Sequence, residues 1–295
     1  MFNKKILFAV LIVAILSATV GSVVGGQDAP TVYVSPSGND GNTGTSDAPF
    51  KTIKKAVEAA PNGGTVFIKA GLYYAKDGNG NIKTDKDLNI VGEDKETTII
   101  DGSDFKNTLN ERGELVRSII FESDNIRGSN QTLKIKNLTF QNQVGYSAIV
   151  SYSESTESTV ENCNFIKNQG VGLIHAFNND VGSKSEFKVL NCSFTNNSMQ
   201  ADVVETRCSY SIVAGCSFVD NRVECGAALN LGLDALVSDS YFSGNIHVER
   251  DGHYADDIYH CTVYGTIKLH NNVFIQARSG STRSIWNEYG VTEYV

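Results

Sequence analysis

The sequence has little proline and little basic charge. It contains four prolines in 295 residues, and none follows Pro61. Lysine and arginine total 25 against 33 acidic residues, which gives a net charge of −8. An acidic chain without a basic stripe argues against nucleic-acid binding, and scarce proline excludes collagen and proline-rich disorder. Glycine and asparagine are abundant, with 27 residues each, which is typical of many tight turns between uninterrupted strands.

Long hydrophobic runs are absent beyond the first 26 residues. Lys4 and Lys5 precede the apolar run Ile6–Leu16, and small residues follow it. A positive segment, an apolar core and small residues are the parts of a secretory signal. We therefore predict a signal peptide over residues 1–26 and a secreted or cell-surface protein without a membrane span after cleavage. The alternative is an uncleaved anchor, because the weakly apolar stretch to Val24 is nearly long enough to cross a bilayer.

A repeat of about 24 residues covers the second half of the chain. Six segments align on one phenylalanine, namely Phe140, Phe165, Phe194, Phe218, Phe242 and Phe274. A short alternating strand precedes each phenylalanine, and a second apolar patch follows about seven residues after most of them. Three short strands in such a period describe one coil of a parallel β-helix, an all-β solenoid in which equivalent residues stack along the axis.

Two side-chain columns follow from this repeat. The phenylalanine and the residue two positions before it share a face, so both are predicted to point into the core. An asparagine recurs three residues after the phenylalanine, at Asn168, Asn197, Asn221 and Asn245. We interpret it as a turn residue that tolerates the left-handed conformation and is able to bond its neighbours above and below.

The two ends of the solenoid differ in sequence. Phe50–Ala60 is amphipathic and is predicted to form a helix that covers the N-terminal end. No equally clear cap follows the coils; either Trp286 and Tyr289 fold over that end or a partner covers it. The predicted organisation is a signal peptide over 1–26 and one β-helix domain over 27–295, divided into an N-terminal strand and cap (27–62), coils (63–278) and a C-terminal end (279–295).

All six cysteines lie in the repeat region. Cys163, Cys192 and Cys216 occupy the same position, two residues before the phenylalanine, in successive coils. Equivalent inward residues of neighbouring coils stack, so these three are predicted to form a buried ladder of free thiols rather than disulfides. Cys208 and Cys225 lie outside this column and are candidates for a disulfide with each other. The absence of a C-x-x-C spacing argues against a zinc site.

The longest interval between two phenylalanines, Phe242 to Phe274, contains an insertion rich in histidine and acids. Its candidate catalytic residues are Arg250, His253, Asp256 and Asp257, and its candidate metal ligands are Glu249 and Asp251. Carboxylates there would hold Ca²⁺ while an arginine abstracts the proton α to a uronate carboxyl, or two carboxylates would cleave a glycosidic bond. The alternative is an exposed polar loop without chemistry.

A smaller polar cluster follows from the alignment of the second apolar patch. Ala176, Glu205 and Asn230 fall in one column, with His175 and Arg207 beside it. Stacked polar residues on a β-helix face are suited to contact a glycan, so the candidate ligand-binding residues are His175, Glu205, Arg207 and Asn230. The alternative is that they are simply solvated.

The N-terminal part carries a family resemblance. The segments Val32–Gly41, Ala48–Ile53 and Gly64–Tyr73 resemble the opening of right-handed parallel β-helix proteins of the pectin-lyase-like superfamily. Within it the chain most resembles the adhesin-like surface proteins of methanogenic archaea and bacteria. The superfamily includes lyases, hydrolases, esterases and non-catalytic surface proteins, so the resemblance specifies the fold far more than the function.

The catalytic motifs that the resemblance implies are not present. Polygalacturonase-type hydrolases show Asn-x-Asp, a paired Asp, Gly-His-Gly and Arg-x-Lys in that order. Here Gly252-His253-Tyr254 precedes Asp256-Asp257, the other two elements are missing, and so are the pectin methylesterase motifs. The first hypothesis is an exported, non-catalytic β-helix that acts at the cell surface in adhesion or carbohydrate binding. The second is a lyase or glycoside hydrolase acting on acidic polysaccharide, with Ca²⁺ as the one cofactor that a lyase would need.

Overall fold

The computed structural model describes residues 30–104, 108–109, 115–116, 119–123, 131–152, 157–177, 184–248, 256–260, 265–275, 284–287 and 291–295. The described chain winds into a parallel β-solenoid whose successive coils add strands to the same sheets. We name these sheets A, B, C and D in the order in which the chain passes through a coil. The predicted signal peptide lies outside the described residues.

Sheets A and B form two faces of the solenoid. Sheet A contains ten strands in the described chain, Thr31–Val34, Gly64–Ile68, Leu88–Gly92, Leu133–Lys136, Glu157–Glu161, Glu186–Leu190, Tyr210–Ala214, Asp234–Ser238, Thr266–His270 and Val291–Tyr294. Sheet B contains eight, Gly71–Tyr74, Thr98–Asp101, Thr139–Gln141, Asn164–Ile166, Ser193–Thr195, Ser217–Val219, Tyr241–Ser243 and Val273–Ile275. The alternating strand before each phenylalanine lies in sheet A, and the strand that contains the phenylalanine lies in sheet B.

Sheets C and D complete each coil. Sheet C is made of five two-residue strands in the described chain, Val144–Gly145, Gln169–Gly170, Ser198–Met199, Arg222–Val223 and Ile246–His247. Sheet D contains eight strands, Ile82–Thr84, Ile119–Ser123, Ser147–Tyr152, Ile174–Phe177, Val204–Arg207, Leu229–Leu231, Ile258–His260 and Ile285–Asn287. The sequence predicted three strands per coil and missed sheet C, because two residues are too few to show an alternation. Outside the four sheets, Thr108–Leu109 and Leu115–Val116 pair in an antiparallel ribbon.

The phenylalanine column is the centre of the core. All six predicted residues stack in register, and successive ring centroids are 4.7 to 5.0 Å apart from Phe140 to Phe274. Their planes are tilted by 13° or less, so the rings lie nearly parallel. The spacing equals the distance between hydrogen-bonded strands, so the ladder itself fixes the stacking. The inward prediction for this column is confirmed.

A ladder of buried asparagines runs beside the phenylalanines, at the turn from sheet B to sheet C. Asn197 is 1% exposed and donates from Nδ2 to the Phe165 carbonyl at 3.0 Å and to Asn221 Oδ1 at 2.9 Å. Its own Oδ1 accepts from the backbone nitrogen and the Nδ2 of Asn168, both at 3.0 Å. The same pattern continues through Asn245. The predicted bonding above and below is confirmed.

The predicted conformation of these asparagines is wrong. The left-handed residues of this turn are Lys167, Asn196, Asp220 and Gly244, each directly before a ladder asparagine, and Asn142, which precedes Gln143. The turn from sheet A to sheet B has a second left-handed position, occupied in order by Asn137, Asn162, Asn191, Gly215, Asp239 and Asn271. The side-chain amide of the ladder asparagine points inward. There it bonds backbone N–H and C=O groups that have no backbone partner at the sharp turn.

The cysteine ladder is confirmed, and the second cysteine prediction is wrong. Cys163, Cys192 and Cys216 are buried free thiols in successive coils. Their sulfur atoms donate to nearby carbonyls, and burial raises the pKa of the Cys192 and Cys216 thiols well above the ordinary value. Cys208 is buried and Cys225 is exposed, and they form no disulfide with each other. Cys261 lies outside the described residues.

A short helix lies against the N-terminal coil. It covers Ile53–Ala59, three residues later than the predicted start, because Thr52 caps it by accepting from the Lys55 backbone nitrogen at 3.2 Å. Its buried face packs against the first strands of sheets A and D. The predicted apolar positions Phe50 and Ala60 are also buried, at the two ends of this face.

The C-terminal end does not fold over the solenoid in the part that the structure describes. Ile285–Asn287 and Val291–Tyr294 instead add one more strand to sheets D and A, so Trp286 continues a column and does not form a lid. Tyr289 lies outside the described residues. Within the described ranges, no helix is long and apolar enough to cross a membrane.

Removal of one ladder asparagine should destabilise the whole solenoid. In Asn197→Ala the buried Asn168 nitrogen and the Phe165 carbonyl lose their partner, which we expect to lower the free energy of unfolding by about 3 kcal/mol. Urea unfolding followed by circular dichroism measures this loss. Gln169→Ala, at an exposed position in the sheet C strand of the preceding coil, is the matched control. Equal stability of the two variants would contradict the structural role of the ladder.

Candidate functional site

Polar side chains lie in one column on the outward face of sheet D. The register pairs His175 with Glu205 and Glu205 with Asn230. Their strand neighbours Ile174 and Val204 belong to the core, so alternation turns these three outward. They are nevertheless only 2%, 7% and 6% exposed, respectively. A buried polar column on an outer face distinguishes this part of the solenoid.

The predicted column was one residue out of register at its first member. Ala176 pairs with Thr206 and lies in the core, while His175 takes the place beside Glu205. Arg207 follows two residues after Glu205 and reaches back to it. The structure therefore brings together all four residues that the sequence nominated for ligand binding.

An ion pair holds the carboxylate of Glu205. Arg207 donates to Oε1 from Nε at 2.6 Å, and its terminal nitrogen approaches the same oxygen at 2.6 Å. The Glu205 side chain is 9% exposed, whereas that of Arg207 is 60% exposed. The second oxygen, Oε2, lies 4.0 Å from His175 Nε2, which is too far for a hydrogen bond. One carboxylate oxygen is thus occupied and the other faces the histidine.

Aromatic rings surround His175. Tyr146 meets it edge-on with centroids 5.7 Å apart, and Phe177 lies 5.6 Å away on the same strand. The Arg207 guanidinium lies 5.8 Å from the Phe177 ring centroid. Burial and then the Arg207 charge lower the pKa of His175 to about 4, so the imidazole is neutral at pH 7. Its Nδ1 lies 3.2 Å from Ser147 Oγ.

A fifth polar residue, Asp202, was missed by sequence reasoning. It lies just before the strand of Glu205 and is 4% exposed. Its carboxylate accepts from the Ala227 backbone nitrogen at 2.8 Å and from Asn230 Nδ2 at 2.9 Å. Burial, and then the charge of Glu205, raise its pKa to about 7. An acid directly before the buried pair Val203-Val204 was the sequence signal that could have indicated it.

Two glycines make room for the cluster. A Cβ on Gly172 would clash with His175 Nε2, and a Cβ on Gly226 would clash with Asp202 Oδ1. Gly226 also has a φ of +128°, which side chains rarely allow. Close approach of backbone at these points lets the buried polar atoms fit beneath the surface.

Of the candidate residues in the insertion after Phe242, only Asp256 and Asp257 lie in the described part of the chain. Asp256 and Asp257 are 4% and 2% exposed and lie just before a sheet D strand. Asp256 Oδ1 accepts from the His247 backbone nitrogen at 2.9 Å, and Asp257 Oδ1 accepts from Asn245 Nδ2 at 2.9 Å. Asp257 thus continues the asparagine ladder. Burial, and then the charge of Asp256, raise the pKa of Asp257 to about 6.

The remaining predictions for this insertion are not placed. Glu249, Arg250, Asp251 and His253 lie outside the described residues. Within the described ranges, no three histidine, cysteine or acidic side chains come together as metal ligands. The catalytic role of Asp256 and Asp257 and the metal site stay predictions, and the described contacts of the two aspartates hold the insertion to the coil.

Comparison with known proteins identifies the family. Residues 32–211 match the family described as "Pel9A-like, right handed beta helix region", and the chain belongs to it. This match confirms the predicted right-handed β-helix and the pectin-lyase-like superfamily.

The individual relatives are more distant. The chain is 36% identical over 77 residues to the uncharacterized protein YwoF of Bacillus subtilis, covering 26% of this chain and 16% of that protein. It is 31% identical over 115 residues to pectate lyase PEL9 of Emericella nidulans, covering 37% and 24% respectively. The structure of the PL6 family alginate lyase AlyGC, a variant, superposes with a TM-score of 0.54 at 12% identity, over 89% of this chain and 39% of that chain. The chain therefore spans less than half of each of these proteins.

The titration of Asp202 should be visible in the stability of the protein. Its pKa is about 7 in the folded protein and about 4 when unfolded, so the folded state binds the extra proton in between. Its contribution is therefore fully present below pH about 4 and is lost as the pH rises towards 7. The free energy of unfolding of the wild type, minus that of Asp202→Asn, should therefore fall by a few kcal/mol as the pH rises from about 4 to about 7.

Urea unfolding at several pH values measures that difference. His175, whose lowered pKa acts with the opposite sign, is present in both proteins. Asp47→Asn, which removes one carboxyl from an exposed position, is the matched control. A flat profile for Asp202→Asn would contradict the raised pKa.

Proposed function

We propose that this protein binds carbohydrate through the outward face of sheet D and acts in adhesion at the cell surface. The observation that carries the proposal is the Glu205–Arg207 ion pair, buried at its carboxylate together with His175 and Asn230 on an outer face. Burying a carboxylate costs free energy that an exposed pair would avoid, so such an arrangement favours a binding role over a purely structural one.

The chemistry of the cluster suits a sugar. Carboxylate, amide, imidazole and guanidinium groups offer both donors and acceptors to hydroxyl groups. The rings of Tyr146 and Phe177 add apolar surface beside them, as in most small-molecule sites. In the Lys188–Glu157 pair on sheet A the carboxylate side chain is far more exposed than in the Glu205–Arg207 pair, 48% against 9%. Relatives that carry the names of pectate and alginate lyases support a polysaccharide as the ligand.

The place of action follows from the N-terminus. The predicted signal peptide would export the chain, and repeated coils offer an extended surface on which a glycan chain can lie. Adhesion needs binding without turnover. Asp202 is buried and accepts two hydrogen bonds, so it does not contact a ligand and does not act on it as an acid or a base. This arrangement favours binding without turnover.

Binding should depend on the exposed end of the ion pair. Isothermal titration with a panel of soluble oligosaccharides should detect a ligand, and Arg207→Ala should weaken its binding about tenfold because the Glu205 carboxylate loses its orientation. Lys188→Ala removes a similar charge from sheet A and should leave the affinity unchanged. Absence of binding to all oligosaccharides, or equal effects of the two substitutions, would contradict the proposal.

The second candidate is cleavage of an acidic polysaccharide at the same cluster. The observation that favours it is a pair of buried carboxyl groups, in which burial, and then the charge of Glu205, raise the pKa of Asp202 to about 7. Glu205 would then transfer the proton, and Asp202 would act as a positioning residue through Asn230.

Product analysis distinguishes cleavage of the polysaccharide from binding alone. Incubation with polyuronates, with and without Ca²⁺, should produce unsaturated ends or reducing ends if the chain is a lyase or hydrolase. Glu205→Gln should then abolish product formation, while the exposed Glu224→Gln should retain it. No product from wild type, together with measurable binding, would reject this second candidate.

A further inference from the structure

A groove runs across the strands of sheet C on the outward face of the solenoid. Residues 144–145, 169–171 and 198–200, from three successive coils, are among those that line it, and its volume is about 400 Å³. Small-molecule sites have volumes of roughly 300 to 1,000 Å³. Equivalent residues of neighbouring coils lie about 4.8 Å apart, so the groove follows the solenoid axis. We call it the sheet C groove.

The floor of the sheet C groove is mostly backbone. Gly145 pairs with Gly170, and Gly170 pairs with Met199. Met199 is 1% exposed and belongs to the core, so alternation turns its neighbours Ser198 and Gln200 outward. A Cβ on Gly170 would clash with the carbonyl oxygen of Gly145, which excludes a side chain there. The outward side chains on either side of this line of residues form the two walls.

The walls carry polar side chains that the protein itself does not use. Gln169 and Ser198 lie in one wall and Gln200 in the other. No hydrogen bond joins the side chains of these three to another residue of the described chain. By contrast, Gln141 on the outward face of sheet B donates to Asp101 at 2.8 Å. Two amides and a hydroxyl are therefore available to a ligand along the groove.

The walls also carry apolar surface. Val144 is 36% exposed, and Val171 is half-buried beside Gly170. A sugar ring has hydroxyl groups around its rim and C–H groups on its faces. Amide and hydroxyl side chains both donate to and accept from such hydroxyls, and aliphatic side chains pack against the C–H faces. The composition of the groove thus matches both parts of a sugar ring.

We propose that the sheet C groove is a second saccharide-binding site, which holds an extended sugar chain along the solenoid axis. One pyranose ring in a chain is similar in length to one strand spacing, so successive rings meet equivalent positions of successive coils. The inference rests on the proposed carbohydrate-binding function and adds to it a site on a different sheet from the cluster of Glu205 and Arg207.

An extended peptide does not fit the groove as well. Peptides that bind a sheet add a strand to a free edge, where the backbone groups are unpaired. Gln169–Gly170 and Ser198–Met199 are each paired on both sides, so their backbone groups already belong to the ladder. The groove moreover crosses the strands, whereas an added strand would run parallel to them. These features favour a saccharide.

The sheet C groove borders the polar cluster of sheet D. Tyr146 directly follows Gly145, and its ring meets His175 edge-on with centroids 5.7 Å apart. Val171 directly precedes Gly172, where a Cβ would clash with His175 Nε2. The two sites are therefore neighbours on one continuous surface. Two adjacent chains of a cell-surface glycan would bind side by side, which raises the overall affinity without any new contact.

Calorimetry counts the two sites. Galactotriose and trigalacturonate are the probes, because three rings match the three coils. For the sugar that binds, wild type should bind two molecules per chain. Ser198→Tyr should reduce this number to one, because the added ring fills the groove. The sheet tolerates a large side chain in this column, since the counterpart of Ser198 in the next coil is Arg222.

A control and a second variant accompany this measurement. Ser217→Tyr adds the same ring on the outward face of sheet B, next to Tyr241, and should still bind two molecules per chain. Gln200→Ala adds no volume and should weaken one of the two sites severalfold, which keeps the test valid if Ser198→Tyr does not fold. Circular dichroism and thermal unfolding establish that each variant is folded.

The results separate this inference from the proposed function. One molecule per chain, weakened in Arg207→Ala, would overturn the second site and leave the proposed function in place, whether or not Ser198→Tyr also weakens it. One molecule per chain that is lost only in Ser198→Tyr would support the groove and remove the sheet D site. Binding of penta-alanine or penta-serine, lost in Ser198→Tyr, without binding of either sugar would overturn the saccharide assignment. No binding of any probe would remove both proposals.

Discussion

The parallel hydrogen-bond ladder between successive coils is the constraint on which the rest of this structure depends. It sets equivalent residues one strand spacing apart, about 4.8 Å, in every sheet. Each side chain therefore meets its own counterpart from the next coil. A flat ring such as Phe194 stacks at this distance, and a buried amide such as Asn197 both donates to and accepts from its neighbours.

The same constraint produces the candidate site. His175, Glu205 and Asn230 are far apart in sequence and adjacent only because three coils are in register. A column on the outward face need not be uniform, since solvent or a ligand can satisfy it. Here the column changes from imidazole to carboxylate to amide, and nearby rings bury it. Asp202, in the turn before the strand, supports Asn230 from behind. The solenoid thus turns a linear repeat into a local group of different polar side chains.

Sequence periodicity predicted most of the core, and it was weaker at the turns and at the site. The phenylalanine column and the cysteine column two residues before it were predictable, because the same type of side chain recurs at each inward position. The left-handed residue of the turn was expected at the recurring asparagine, one position too late, because asparagine is common both in turn hydrogen bonds and in the left-handed region. Lys167 and Asp220 show that the left-handed position is the one before it. At the site, Ala176 was exchanged for His175, since a one-residue error in register turns the opposite face outward. Asp202 was missed because it belongs to no column.

The sequence by itself determined the solenoid, its period of about 24 residues, the inward columns and the four residues nominated on sheet D. These follow from alternation and repetition, which are local properties. The tertiary structure alone decided that Cys208 and Cys225 form no disulfide with each other and that the last strands extend the ladder. It also decided that Asp256 and Asp257 are buried supports and that His175 Nε2 lies 4.0 Å from Glu205 Oε2. The physical reason is that distances between side chains of different coils, and their burial, depend on how the insertions and turns pack, which no local pattern records.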